Sequence, residues 1–244
     1  MARPVPILIP CYNNWYYVQN MTEQLVKKNP MLKSSIIILN NSSTCPETKT
    51  YLQSCPYQVI HNANNGPWVT STQNQHIYNQ MPTKFIVTDP DLALHPQLPS
   101  NFVDILCSLS DTYKTYKVGF ALDISEPDKM IDYPTIFAQE NLYWKHRIAH
   151  PTYELYSAAI DTTFALLNKE YHKNSIRIAG VFTAKHLPWY IRNPILTPRE
   201  NYEYYKHATK YSSFAKIFVA YFDKHNLLEK LEEELREEAA TTTS

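Results

Sequence analysis

Asp89-Pro90-Asp91 is the segment of this sequence with the most pointed chemistry. In an extended segment, residues i and i+2 project to the same side, which would aim both carboxylates at one spot. Two like charges held that close repel unless a cation sits between them. Hard divalent ions such as Mg²⁺ or Mn²⁺ accept carboxylate oxygens and bridge them to substrate phosphates. The plainer alternative is an exposed turn in which an aspartate caps a helix. A second group of polar residues shares one trait, that each follows an apolar run: Pro10-Cys11-Tyr12-Asn13-Asn14, Asn40-Asn41-Ser42 and Asn62-Ala63-Asn64-Asn65-Gly66. Amides offer both donors and acceptors, as reading a base and a ribose requires. Asn and Ser also favour turns and helix caps without any ligand.

The elements that must position these residues are legible as an alternation. Pro6–Pro10, Ser35–Leu39, Gln58–His61 and Lys84–Thr88 read as short buried strands, and each polar segment follows one of them. Between them, Trp15–Lys28 carries apolar residues at helical spacing, with a brief helix at Thr48–Gln53, another at Thr70–Asn79 and one at Phe102–Leu109. Such a β-α-β order predicts a mostly parallel sheet, in which ligands bind beyond the carboxyl ends of the strands. Further on, Tyr116–Ile124 and Ala158–Leu167 read as strands around an irregular stretch, and Ile176–Phe182 is a third apolar run. Leu227, Leu228, Leu231 and Leu235 stripe an acidic helix from about Asp223 to Glu238, and Ala-Ala-Thr-Thr-Thr-Ser reads as a disordered tail or the start of a linker. The expected organisation is a single domain over 1–222, with a nucleotide-binding half at 1–115 and an acceptor-side half at 116–222. Residues 223–244 follow as an amphipathic helix and tail that docks on the domain or on a partner.

Composition narrows the function classes. The 244 residues include only three glycines, Gly66, Gly119 and Gly180, too far apart for a Walker loop, a dinucleotide G-x-G-x-x-G turn or a G-x-S-x-G nucleophile elbow. Basic and acidic residues balance at 23 each, which argues against a nucleic-acid partner held by a global positive field. Neither a signal h-region nor a membrane span can be written anywhere. Cys11, Cys45, Cys55 and Cys107 have no metal-type spacing, and reduced thiols in the cytoplasm are the expectation.

Five segments in order resemble nucleotide-sugar-dependent glycosyltransferases of the GT-A fold. They are Ile7 to Asn13, Asn62 to Gly66, Asp89-Pro90-Asp91 in the place of that fold's D-x-D motif, Ala159 to Leu166 as an acceptor-side strand, and Lys185-His186-Leu187-Pro188-Trp189-Tyr190. The pattern is similar to small virus-encoded and bacterial domains, including the N-terminal domain of a multidomain chlorella-virus glycosyltransferase. The resemblance implies that Asp91 binds the metal directly, that Asp89 meets the ribose or reaches the metal through water, and that His186 completes the metal site or donates to the diphosphate. It implies that Pro10, Tyr12, Asn13, Asn65 and Asn74 line the nucleotide cleft, with Tyr12 as a stacking face. Asn40 stands where many relatives carry an acid against the base or ribose. Transfer with inversion needs a base at the acceptor hydroxyl. Asp161 is the first candidate, as an acid in an otherwise apolar strand, and Asp123 the second; a structural carboxylate is the alternative for Asp161. Trp68, Trp144, Trp189 and Tyr190 could stack on sugars or simply fill the core.

The expected activity is therefore transfer of a hexose or deoxyhexose from a nucleoside-diphosphate sugar, UDP-linked by preference, to a glycan hydroxyl, with Mn²⁺ or Mg²⁺. The rival readings are a non-catalytic glycan- or nucleotide-binding module and, further off, a nucleotidyltransferase.

Overall fold

A computed structural model describes residues 4–161, 163–208, 212 and 214–242. The chain divides into two compact units, one made of residues 1–123 and 139–186 and the other of 124–138 and 187–244.

All the described strands lie in the first unit. In chain order its elements are β1 (Ile7–Cys11), α1 (Trp15–Lys28), β2 (Ile36–Asn41), α2 (Pro46–Ser54), β3 (Gln58–Asn62), α3 (Gln75–Gln80), β4 (Lys84–Val87), β5 (Leu92–Leu94), α4 (Phe102–Tyr113) and β6 (Lys117–Phe120). After residues of the other unit come β7 (Arg147–Ile148), β8 (Leu155–Ser157), β9 (Ala165–Asn168), β10 (Ser175–Ile178) and β11 (Ala184–His186). Nine strands form one sheet in the order β3-β2-β1-β4-β9-β6-β10-β8-β7. The pairings make seven of them run one way and only β9 and β8 the other.

The expected parallel half is present, because β-branched and leucine runs separated by helix-length crossovers have few other ways to bury both faces. One face carries Leu8, Leu39, Val69, Ile77, Met81, Phe85, Val87 and Leu167. A phenylalanine cluster fills another part of the core: Phe120 stacks on Phe164 with ring centroids 4.6 Å apart, and Phe102 meets Phe164 edge-on at 5.6 Å. Gly119 pairs with Ala165, where a Cβ would lie 2.5 Å from the Phe164 carbonyl oxygen. The close approach of β6 to β9 thus requires glycine here.

Several boundaries differ from the sequence reading. The strand expected over Ala158–Leu167 forms only at Ala165–Asn168. Asp161 is consequently exposed on the preceding loop, so the reason given for it, an acid inside an apolar strand, does not hold. Thr162 lies outside the described residues. The run Ile176–Phe182 breaks after Ile178, with Gly180 at φ +65° beginning a 3-10 turn. A short antiparallel ladder between β5 and β11 was invisible in sequence, since three-residue strands leave no period.

The second unit is helical: α5 (Tyr133–Glu140, its last two residues belonging to the first unit), α6 (Pro198–Lys206), α7 (Ala215–His225) and α8 (Leu227–Thr242). Thr197 caps α6 reciprocally with Glu200, a full capping box behind Pro198. The expected Asp223–Glu238 helix is split by Asn226 at φ +47°, and α8 continues through most of the segment read as a tail. Leu231 is buried where α8 packs on α6 and α7, whereas Leu235 is 40% exposed. Among the described residues no helix is long and apolar enough to cross a membrane.

Candidate functional site

The carboxyl ends of β1, β2 and β3 turn sharply. Asn13, Ser42 and Gly66 all adopt positive φ (54°, 58° and 86°), the region glycine tolerates and asparagine visits. The amides here chiefly build the edge. Asn13 Oδ1 accepts from the Thr44 and Cys45 backbone N–H groups at 2.7 and 2.9 Å, and its Nδ2 donates to Thr44 Oγ1 at 3.0 Å, tying the β1 turn to the β2 turn. Asn40 is 7% exposed; its Oδ1 accepts from Ser43 N at 2.9 Å and its Nδ2 meets His61 Nδ1 at 3.1 Å. Asn62 Nδ2 donates to Asn74 Oδ1 at 2.8 Å. Fully buried Asn74 donates in turn to the carbonyls of Gly66 and Trp68 at 3.4 and 3.1 Å. Asn65 Nδ2 reaches the Gln73 carbonyl at 3.4 Å. Within this network, asparagine acts on the shape of the β3 loop. Pro10 is buried in β1, and Tyr12 follows at the edge, half-buried.

Beyond β4, the chain bends at Pro90 and Asp91, so Asp89-Pro90-Asp91 is not the extended segment that strand geometry assumes. Asp91 is 5% exposed and Asp89 is half-buried. The β5–β11 ladder pairs His186 with Leu92, and this register carries the imidazole to Asp91: Nε2 stands 3.6 Å from Oδ1. Burial pushes the His186 pKa below its ordinary value, against the opposing pull of Asp91. The imidazole therefore presents a lone pair at neutral pH, as metal ligation requires. Among the described residues no three His, Cys, Asp or Glu side chains gather as a metal set. Asp123 is held nearby through its backbone, its N–H donating to the Ala184 carbonyl at 2.9 Å, two residues before His186.

Asp161 reaches the same edge by a different route. Because β9 runs antiparallel to β4, with Ala165 opposite Val87, the residues before β9 leave the sheet where those after β4 do. Asp161 Oδ1 accepts from Trp68 Nε1 at 2.7 Å. Lys117 Nζ donates to the Ile160 carbonyl at 2.7 Å and to the Asp161 carbonyl. Arg177 Nε donates to the Ala159 carbonyl at 2.7 Å. Burial pushes Lys117 down to about 8, although Asp161 and Asp89 pull it upward. Arg177 is itself locked, its Nη1 2.8 Å from Glu140 Oε2 and its guanidinium 3.9 Å from the Tyr143 ring centroid. Burial outweighs that pairing and holds the Glu140 carboxyl above the usual range. Sequence reading missed Lys117, Arg177 and Glu140; the visible signal was a single arginine inside Ser-Ile-Arg-Ile. Of the aromatic candidates, Trp68 stands at the edge. Trp144 packs edge-on against Tyr156 and Trp189 against Phe214, as core rings do.

No family model and no curated protein matches this sequence. Among solved structures, the complex of GalNAc-T7 with UDP, GalNAc and Mn²⁺ is similar over 97% of this chain and 57% of its own, with a TM-score of 0.50 at 11% identity. Mycobacterium tuberculosis glucosyl-3-phosphoglycerate synthase matches over 69% of this chain and 57% of its own (TM-score 0.38, 14% identity). A CMP:2-keto-3-deoxy-manno-octonic acid synthetase bound to CTP matches over 69% and 75% (TM-score 0.40, 11% identity). The chain thus spans a little over half the length of the first of these, and at such identities the likeness is one of fold. With a large, mostly parallel central sheet flanked by helices and one reversed strand beside β4, the chain has the GT-A fold.

Proposed function

We propose that this protein is a metal-dependent glycosyltransferase, moving a hexose or deoxyhexose from a UDP-linked donor to a glycan hydroxyl. The observation that carries this reading is the Asp91–His186 pair, set 3.6 Å apart at the carboxyl edge of a GT-A sheet. One carboxylate oxygen and one neutral imidazole nitrogen form a donor set that Mn²⁺ accepts, and diphosphate oxygens and water can complete the shell. Asp91 and His186 would hold the ion, with Asp89 on the ribose side or linked through water. When bound, the ion supplies Lewis-acid stabilisation to the departing diphosphate. Pro10, Tyr12 and Asn65 would line the donor cleft, the Tyr12 ring offering a face to the base. Asn13, Asn40 and Asn74 hold the turns that shape it. For an inverting course, Asp161 would take the proton of the acceptor hydroxyl, with Asp123 as the second candidate. Residues 1–115, joined by His186, would then serve the donor and the rest of 116–222 the acceptor, while 223–244 would stand outside the transfer chemistry.

The test is calorimetric titration of the full chain with UDP, UDP-glucose and UDP-N-acetylglucosamine, with and without Mn²⁺. Binding should require the ion in the wild type and weaken at least tenfold in Asp91→Asn and in His186→Ala. Binding that ignores Mn²⁺, or survives both substitutions unchanged, overturns the assignment and leaves a non-catalytic binding module.

A further inference from the structure

We propose that Lys117 and Arg177 are positioning residues for the Asp161 carboxylate, gripping three consecutive carbonyls of the loop that carries it. This rests on the reading of Asp161 as base. Among its described residues the loop between β8 and β9 has no repetitive structure around Asp161, yet the carbonyls of Ala159, Ile160 and Asp161 each receive a cationic donor. Arg177 comes from β10 and Lys117 from β6, so the grip is anchored on two strands of the sheet. A third element closes it, since Trp68 on the β3 loop donates to the carboxylate itself.

Ala159 and Asp161 are exposed, and water could satisfy carbonyls at such a place without burying any charge. Instead the fold buries Arg177 to 2% exposure and gives it Glu140 and the Tyr143 ring. Burying cations beneath carbonyls that solvent could serve is unfavourable for stability alone, and what it secures is a fixed backbone. A base must sit within hydrogen-bond reach of its proton, and a displacement of about 1 Å can lower turnover on the order of 10²-fold. With Oδ1 accepting from the indole, Oδ2 would be the oxygen offered to the acceptor hydroxyl.

The experiment compares the full-length wild type with Lys117→Met, Lys117→Arg and Asp161→Asn. Amide hydrogen exchange over residues 158–164 is the deciding readout. UDP release from UDP-glucose with Mn²⁺, in water and with monosaccharide acceptors, is measured beside it. Lys117→Met should exchange faster at 158–164 alone and release UDP about ten- to a hundredfold more slowly, with UDP affinity within twofold of wild type. Lys117→Arg should recover most of the rate. Unchanged exchange at 158–164 overturns the proposal. So does faster exchange spread through β4 and β9, which would make Lys117 merely structural. Wild-type turnover in Asp161→Asn removes the base reading instead, and the exchange result does not depend on it.

Discussion

Glu140 and Arg177 offer a quantitative test of how the acceptor-side loop is held. Each side chain is 3% exposed, and their charged groups meet at 2.8 Å. Glu140→Ala would leave the buried guanidinium to the Ala159 carbonyl and the Tyr143 ring, neither of which carries a countercharge, and arginine cannot escape by losing its proton. An uncompensated buried charge costs about 3–5 kcal/mol. For a chain of this size that lowers Tm by about 6–20 °C. Arg177→Met is not the mirror image. The carboxyl left behind is already held above its ordinary range by burial, and it can protonate. With the folded pKa above the unfolded one, the folded state binds more protons, so stability is retained at low pH and lost as pH rises through the folded value. Arg177→Met should therefore destabilise less at pH 5 than at pH 8, while Glu140→Ala, which removes the raised carboxyl altogether, should destabilise somewhat more at pH 5 than at pH 8. The double variant Glu140→Leu/Arg177→Met removes both desolvation penalties and should return to wild-type stability or exceed it by about 1–4 kcal/mol. Urea unfolding followed by circular dichroism at the two pH values measures all three. A Glu140→Ala protein within 1 kcal/mol of wild type, or a double variant as unstable as that single one, would refute the view that the pair is kept for position and not for stability.

Three further outcomes are expected. Gly119→Ala forces a Cβ to within 2.5 Å of the Phe164 carbonyl oxygen and 2.7 Å of Ala165 Cβ, and should lose about 1–3 kcal/mol in thermal unfolding as β6 and β9 part. Asn74→Ala takes the donors from the Gly66 and Trp68 carbonyls and the acceptor from Asn62; a loss of about 1–3 kcal/mol is expected, with faster proteinase K cleavage between residues 63 and 71. The depressed Lys117 pKa means that its favourable contribution is complete above about pH 10.5 and is lost as pH falls through about 8. The stability of wild type relative to Lys117→Met should accordingly rise between pH 8 and 10, measured by urea unfolding at constant ionic strength.

Much of the fold could be read because its first half obeys simple periods. The helix at Trp15–Lys28 and the strand starting at Gln58 stand where the spacing puts them, since each is long enough or flanked sharply enough to show its pattern. The Asp89-Pro90-Asp91 segment was conspicuous because its residue types are unusual at a strand end. What escaped notice depends on partners distant in sequence. The meeting of His186 with Asp91 exists only through a three-residue ladder, and no local signal announces β5 or β11. Asp161 was singled out for a reason that fails, because the apolar character of Phe164–Leu167 was extended six residues too far towards the N-terminus. The asparagines were read as contacts for a base, and the structure shows most of their amides turned on one another and on backbone. A side chain that shapes a cleft and one that lines it have the same composition, and only the hydrogen bonds separate them.

The reversed strand β9 also has a consequence for how the chain acquires its native state. It joins the two parts of the sheet by pairing with β4 on one side and β6 on the other, so neither neighbour has both partners until Asn168 has left the ribosome, and β6 waits longer still for β10. Until then β4 and β6 present open edges in a nascent chain, the kind of surface that templates wrong pairings between molecules. Such distant pairings close slowly, because loop entropy must be lost before any contact rewards it. Asp161 and His186 follow the same schedule, one just ahead of β9 and the other at the end of β11. Binding competence should thus emerge late and abruptly in synthesis, and nascent chains stalled before residue 165 should be the species most dependent on chaperones.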